Sequence, residues 1–253
     1  MVTGGARGLG RGAADRLAAD GDVVVVLDVS EPVGIPPVRI GELDPALPQQ
    51  SLRVDVSDAP AVRAAIDAVV KELGGIDVLV VGAGVAIPAQ PLRDVDSTAL
   101  DRILAVNVRG VVATLQAALV HMTAARSGCI VVISSQTGKQ AWAGWGVYSG
   151  SKAFAVSLVQ AVALEHAGDG IRINALCPGT MESDMMRTAF AARAAASGRA
   201  LEDEIASYAS GIPVGRIGDA GDVGAAVAWL TSAESSFVTG TALNLTGGEM
   251  VFF

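Results

Sequence analysis

The sequence predicts an α/β protein, a single domain in which helices cover both faces of a doubly wound parallel sheet. Short β-branched runs alternate with helical stretches from end to end, as strands joined by crossover helices require. Hydrophobic residues make up 51% of the chain and aromatics only 4%, so Val, Ala, Leu and Ile fill a core suited to a sheet buried on both sides. The 253 residues suit one open α/β unit, and neither a repeat nor a linker divides residues 1–253.

The elements follow in order. Met1-Val2 is a stub before a glycine-rich turn, and a helix is predicted near Leu9–Ala19. Val23–Leu27 is a β-branched strand. Between Ser30 and Gln50 stand Pro32, Pro36, Pro37, Pro45 and Pro48, which rule out a long helix and predict an irregular crossover. Leu52–Val54 and Ile76–Val81 read as strands flanking a helix at Ala59–Leu73. A long helix over Ser97–Ala125 leads to a strand at Cys129–Ser134, and one over Tyr148–Ala167 to a strand at Ile171–Cys177. Met181–Ala209 is Ala-rich, carries Met and Arg, and precedes Gly211 and Pro213. It predicts one or two helices in an excursion, with residues 181–211 placed to act as a substrate lid. A helix at Ala220–Thr231 and a strand at Ala242–Leu245 close the set of seven parallel strands.

Charge and composition exclude several functions. The net charge is −8 with no basic patch, which argues against nucleic acid as a partner. Apolar runs such as Val23–Leu27 and Ile76–Val81 fall short of the roughly 20 residues a membrane span needs, and no signal peptide is visible. Cys129 begins one strand and Cys177 ends another. Parallel strands put them at opposite edges, so the expectation is two free thiols in a reducing, cytoplasmic setting. His121 and His166 lack Cys or His neighbours at ligand spacing and are expected on the surface rather than on a metal.

Two stretches carry chemistry. Thr3-Gly4-Gly5-Ala6-Arg7-Gly8-Leu9-Gly10 precedes a helix, and its glycines permit a pyrophosphate to approach the helix N-terminus. Eighteen residues after Gly10, the strand Val23–Leu27 runs into Asp28. A carboxylate there accepts hydrogen bonds from a ribose and repels a 2′-phosphate. Arg7 is a competing signal for that phosphate. Asp28 outweighs it, because like charges at close range decide more than one flexible cation. NAD(H) is therefore expected in preference to NADP(H).

The second stretch is Tyr148-Ser149-Gly150-Ser151-Lys152, thirteen residues after Ser135. One helical turn separates Tyr148 from Lys152, so their side chains share a face. An ammonium beside a phenol favours the phenolate and is expected to bring its pKa down from about 10. Ser135, arriving from a neighbouring strand, is placed to hold a substrate oxygen against the phenol. The set suits proton transfer to or from an alcohol or carbonyl oxygen.

Together these motifs resemble the short-chain dehydrogenase/reductase family over nearly the whole chain. The Thr3–Gly10 loop, Asp55-Val56, Asn107 within Val106-Asn107-Val108, Ile133-Ser134-Ser135, Tyr148 with Lys152, Pro178-Gly179 and Gly240…Asn244…Gly247-Gly248 stand in family order. The family's Asn-Asn-Ala-Gly is Val81-Gly82-Ala83-Gly84 here, and the threonine after Pro-Gly is Ser183. Where the family has several apolar residues before its glycine loop, only Met1 and Val2 stand. The expectation is a start upstream of Met1, or a central strand left short with a groove beside it.

The resemblance implies a Rossmann-type fold and reversible hydride transfer between a secondary alcohol and a nicotinamide. It implies Tyr148 as the base, Lys152 lowering its pKa and bonding the nicotinamide ribose, Ser135 polarising the substrate oxygen, and Asn107 ordering a water of the proton relay. It places the cofactor against Gly4, Arg7, Gly8, Leu9, Gly10, Asp28, Val29, Asp55, Val56, Ala83, Gly84, Val106, Tyr148, Lys152, Pro178, Gly179, Met181 and Ser183. Gln136, Lys139, Gln140, Trp142 and Trp145 precede Tyr148 and are expected to line the substrate pocket, with Gln136, Trp142 and Trp145 as its contacts. Amides beside indoles suit a polyol or sugar. A 3-oxoacyl-thioester reductase, a hydroxysteroid dehydrogenase and a non-catalytic redox sensor are the alternatives, the last disfavoured because Tyr148 and Lys152 are both present. The apolar end, Met250-Val251-Phe252-Phe253, together with the helices at 97–125 and 148–167, points to a homotetramer or homodimer.

Overall fold

The computed structural model describes residues 1–251. Its strands are β1 (Val2–Thr3), β2 (Val24–Asp28), β3 (Gln49–Arg53), β4 (Val78–Val81), β5 (Gly128–Ile133), β6 (Ile171–Pro178) and β7 (Ala242–Leu245). All pair in parallel in the order β3-β2-β1-β4-β5-β6-β7. Alternate residues feed two cores. Leu27, Leu79, Ile130 and Ile173 face one layer, while Val26, Val80, Val131 and Leu176 face the other. Each such side chain buried from water contributes about 1.5–3 kcal/mol. The first layer is covered by α2 (Ala59–Leu73), α4 (Val111–Ala125) and α5 (Gly146–His166), the second by α1 (Gly8–Ala19) and α8 (Ala220–Thr231).

Local chemistry fixes the ends. Asp58 caps α2 by accepting from the Ala61 N–H, with a proline in the first turn and Gly74 closing the helix in the left-handed region. Asp219 and Asp222 form a reciprocal capping box on α8. β1 pairs on both sides, Val2 opposite Val26 and Val80, and the Met1 ammonium donates to the Val78 carbonyl at 2.8 Å.

Two stretches differ from the sequence reading. β3 starts three residues before the predicted Leu52, at Gln49, because Gln50 is satisfied although fully buried. Its amide accepts from the Asp44 N–H and donates to the Asp44 carbonyl, each at 3.0 Å. The long helix over 97–125 forms as α3 (Ser97–Ile103) and α4 joined by a π-helical segment, Leu104–Gly110. This stretch and Gly146–Asp169 are also long and apolar enough, by length and composition, to cross a membrane, which the short apolar runs had not suggested. Each turns a face to the sheet core.

The excursion at 181–209 is two helices, α6 (Asp184–Ser197) and α7 (Leu201–Ala209). Cys129 and Cys177 are both free and buried. His121 lies 2.6 Å from Asp67, and His166 lies 2.9 Å from Asp169. Met250 is buried within its own chain and Val251 is exposed, whereas Phe252 and Phe253 of the apolar end lie outside the described residues.

Candidate active site

Parallel pairing puts the C-terminal ends of the strands on one edge. The strand order reverses between β1 and β4, the point where such sheets open a crevice. There Gly4 turns with φ +67° and donates to the Leu27 carbonyl at 2.8 Å. A Cβ at Gly4 would lie 2.5 Å from the Ala83 nitrogen, and one at Gly10 would lie 2.2 Å from the Gly4 carbonyl oxygen. Only glycine allows the loop, the start of α1 and Gly82-Ala83-Gly84 to close up this far. Arg7 precedes α1 without capping it through its side chain, so the first-turn amides of Gly8, Leu9 and Gly10 remain available to an anion. The cradle fits a dinucleotide pyrophosphate.

Asp28 ends β2 facing that cradle. Its carboxylate accepts from the Ala6 N–H and the Ser30 N–H, both at 3.0 Å, which ties the glycine loop to the acid expected to take the ribose. Val29 beside it is exposed. Asp55 accepts from the Ser57 N–H and hydroxyl at 2.9 and 2.7 Å.

Several predicted cofactor contacts point elsewhere. The Val56 side chain is buried against Gly110, and Val106 packs on the core. The Met181 side chain joins the second core layer, where its sulfur lies under Gly218, so only its backbone can meet a ligand. Arg7 reaches out to Asp184 at 3.1 Å, with both side chains largely exposed. Ser183 caps α6, accepting from the Met186 N–H at 3.2 Å.

The residues expected to move the proton converge at the ends of β5 and α5. Thr137 donates its N–H and its hydroxyl to Ser135 Oγ at 3.2 and 3.1 Å. That fills the acceptor positions of Ser135 and leaves its proton to donate, with the Tyr148 phenol close enough to feel it. Lys152 is buried, donates to the Ile133 carbonyl at 3.0 Å and lies 5.8 Å from the centre of the Tyr148 ring. Ser134 fastens α5 to this edge by donating to the Lys152 carbonyl at 2.9 Å.

The electrostatics depart from expectation. Burial pushes the Tyr148 phenol up from its ordinary value, and the Ser135 hydrogen bond offsets this only in part. Burial also lowers Lys152 to about 8. The ammonium is held on Ile133, so the lysine does not by itself bring the phenol down.

Asn107 lies on the π-helical segment, a feature frequent at functional sites. Its amide donates to the Val85 carbonyl at 2.8 Å and to Ser151 Oγ at 3.0 Å, and accepts from the Val85 N–H at 2.8 Å. Both amide hydrogens are engaged, so the side chain can hold a water only through the second lone pair of Oδ1. Ser151, Thr137 and Val85 were missed from sequence, because only packing turns them toward the site.

A cavity of about 200 Å³ opens beside Tyr148, walled by Ile87, Gln90, Leu92, Val95, Trp142 and Trp145. Trp145 meets the Tyr148 ring edge-on at 5.7 Å. Gln136 is not on this wall: it is 2% exposed, with Oε1 unpartnered, on a tight 3₁₀ turn that draws it inward. Lys139 also leaves the pocket, donating to the Ala242 carbonyl and to Asn244 Oδ1 at 2.9 and 2.8 Å. Gln90 supplies the amide instead. It was missed because residues 85–91 form no helix or strand.

The sequence profile of a family described as enoyl-(acyl carrier protein) reductase matches residues 4–249. Cis-4-hydroxycyclohexanecarboxylate dehydrogenase of Sinomonas cyclohexanicum is 36% identical over 248 residues, covering 98% of this chain and 94% of that protein. Among solved structures, NAD⁺-bound xylitol dehydrogenase superposes with a TM-score of 0.86 at 28% identity, covering 98% of this chain and 96% of that one. ElxO with NADP bound gives 0.82 at 27%, with coverage of 98% and 96%.

Proposed function

Because this chain belongs to the short-chain dehydrogenase/reductase family and is an oxidoreductase of that family acting on CH–OH groups, we propose that it interconverts a secondary alcohol and a ketone with NAD(H), on a polyol or sugar. The observation that carries the reading is that Tyr148 lines a cavity with the buried Lys152 beside its ring and Ser135 close enough to act on its phenol. When bound, the dinucleotide would supply the hydride acceptor or donor and, oxidised, a positive charge. Tyr148 takes the hydroxyl proton in oxidation and returns it in reduction. Ser135 donates to the substrate oxygen, because Thr137 fills its lone pairs. Lys152, lowered to about 8, remains a cation at neutral pH and, without bringing the phenol down by itself, adds to the positive charge that an oxidised dinucleotide would supply. Asn107 holds Ser151 and the Val85 backbone in place by three hydrogen bonds. Gln90 and the two indoles favour a hydroxyl-rich substrate, in keeping with the xylitol dehydrogenase likeness. Two unpaired thiols support a reducing, cytoplasmic setting.

The NAD preference rests on Asp28. With NAD⁺, kcat/KM should exceed that with NADP⁺ by about 10²-fold, the factor set by a like-charge contact costing a few kcal/mol. Asp28→Ser should narrow the gap about tenfold and also raise KM for NAD⁺, since the Ala6 and Ser30 hydrogen bonds go with the carboxylate. Steady-state rates with both cofactors decide it, and equal efficiency with NADP⁺ in the parent protein would overturn the assignment.

We also propose a homotetramer, or at least a homodimer. Leu100, Leu104, Val120, Phe154 and Leu164 leave apolar surface exposed on the helices at 97–125 and 146–166, with Leu164 at 85%. Patches of this kind are covered in soluble proteins by symmetric partners. Light scattering at micromolar concentration should give two or four times the chain mass of 25.5 kDa; a monomeric mass would contradict it.

A further inference from the structure

Glu249 joins three separate parts of the chain. It follows the turn after β7, where the Val214 N–H donates to the Gly247 carbonyl at 3.0 Å and the Glu249 N–H to the Thr246 carbonyl at 3.0 Å. This sets its carboxylate directly over the turn that follows β6. Oε2 accepts from the Thr180 N–H at 2.8 Å and Oε1 from the Thr180 hydroxyl at 2.9 Å. Oε1 also accepts from the Tyr208 phenol of α7. A Cβ at residue 179 would lie 2.8 Å from Glu249 Oε2, so Gly179 is needed for the carboxylate to reach its place.

Tyr208 belongs to a unit that holds α6 and α7 together. Its ring meets Phe190 edge-on at 5.0 Å, and the Arg193 guanidinium lies over both rings at 5.1 and 5.4 Å. Glu204, nearly buried, pairs with Arg193 and Arg199 at 3.1 Å each. The unit is anchored at its base where Glu182 N–H meets the Gly218 carbonyl and Gly218 N–H meets the Thr180 carbonyl, at 2.7 and 3.1 Å. Its other tie near the glycine loop, Arg7 to Asp184, is exposed and contributes little. Burial, with the Glu249 hydrogen bond adding to it, raises the Tyr208 phenol to about 12, so it stays a donor across the working pH range.

We propose that Glu249 is a positioning residue for substrate binding, its carboxylate pinning the α6–α7 unit to the turn at Gly179-Thr180. The inference rests on the reading of residues 181–211 as a substrate lid and of Pro178-Gly179 as the turn beside the nicotinamide. A glutamine at 249 presents an amide N–H to one of three donors, so the tether cannot be remade in full.

The test compares Glu249→Gln and Tyr208→Phe with the parent protein. Tyr208→Phe keeps the ring against Phe190 and Arg193 and serves if the first variant folds poorly. Without cofactor or substrate, trypsin should cut at Arg187, Arg193 or Arg199 about tenfold faster in either variant, the opening gained when a hydrogen bond to a charged group is lost. With a turned-over alcohol, its KM should rise about tenfold while kcat stays within about twofold, and the double variant should be no worse than the worse single one. Cutting at the parent rate would overturn the proposal, as would faster cutting with KM unchanged. An absence of turnover in the parent would strike the proposed activity instead, and the cutting rates, which need no substrate, would still decide whether Glu249 is the tether.

Discussion

A Tyr148→Phe variant is expected to oxidise its alcohol about 10²-fold more slowly, or worse, while binding the dinucleotide within about twofold of the parent. The substitution removes only the oxygen proposed to take the proton, and positioned acid–base groups contribute about 10²–10⁴-fold. The ring remains, so the edge-on packing against Trp145 at 5.7 Å persists and the cavity wall keeps its shape. Ser135 still has its two hydrogen bonds from Thr137 and can hold the substrate oxygen, so KM should move little. Initial rates from NADH absorbance, with NADH binding from fluorescence titration, separate the two quantities. Near-normal turnover would exclude Tyr148 as the proton-transfer group.

Lys152→Ala should damage both binding and turnover: about 10²-fold in kcat and about tenfold in dinucleotide affinity. It removes the buried cation beside the phenol and leaves the Ile133 carbonyl without its 3.0 Å donor. Lys152→Met keeps the apolar stem and isolates the charge. Burial lowers the lysine from 10.5 to about 8 in the folded protein. Below pH 8 both folded and unfolded states hold the proton, and the full cost of burying the cation is present. Between about pH 8 and 10.5 the folded state releases it first, so the lysine makes stability rise with pH, by on the order of 3 kcal/mol in all. Urea midpoints across that window should rise less in Lys152→Met than in the parent. Equal slopes would show that the ammonium is not desolvated as its place on the buried face of α5 implies.

Much of this was legible in the sequence, for physical reasons. Strands such as Val24–Asp28 and Val78–Val81 are buried on both faces and therefore read as unbroken apolar runs. The glycine loop was legible because backbone contacts of 2.2 and 2.5 Å admit no side chain. Tyr148 and Lys152 were legible because helical geometry alone places residues four apart on one face.

What escaped depended on tertiary partners. Gln49–Ser51 looks like loop until Asp44 satisfies Gln50. The π-helical turn at Leu104–Gly110 has no periodic signature in an apolar stretch. Gln136 and Gln90 could not be sorted into buried and wall positions without the path of residues 85–91. The phenol's pKa went the other way because neighbour identity was visible and desolvation was not. Glu249, far from Thr180 and Tyr208 in sequence, carried no signal at all.

Turnover of secondary alcohols with NAD⁺ in this cavity is the proposal on which the mechanism stands. It is tested most directly by following absorbance of NADH while the purified protein is offered a panel of polyols, sugars, hydroxysteroids and simple secondary alcohols with NAD⁺ or NADP⁺. NADH should form with at least one hydroxyl-rich secondary alcohol, faster than NADPH with the same compound. Reduction of neither cofactor by any of them, and oxidation of neither reduced form by the matching ketones, from a protein that binds the dinucleotide would contradict it.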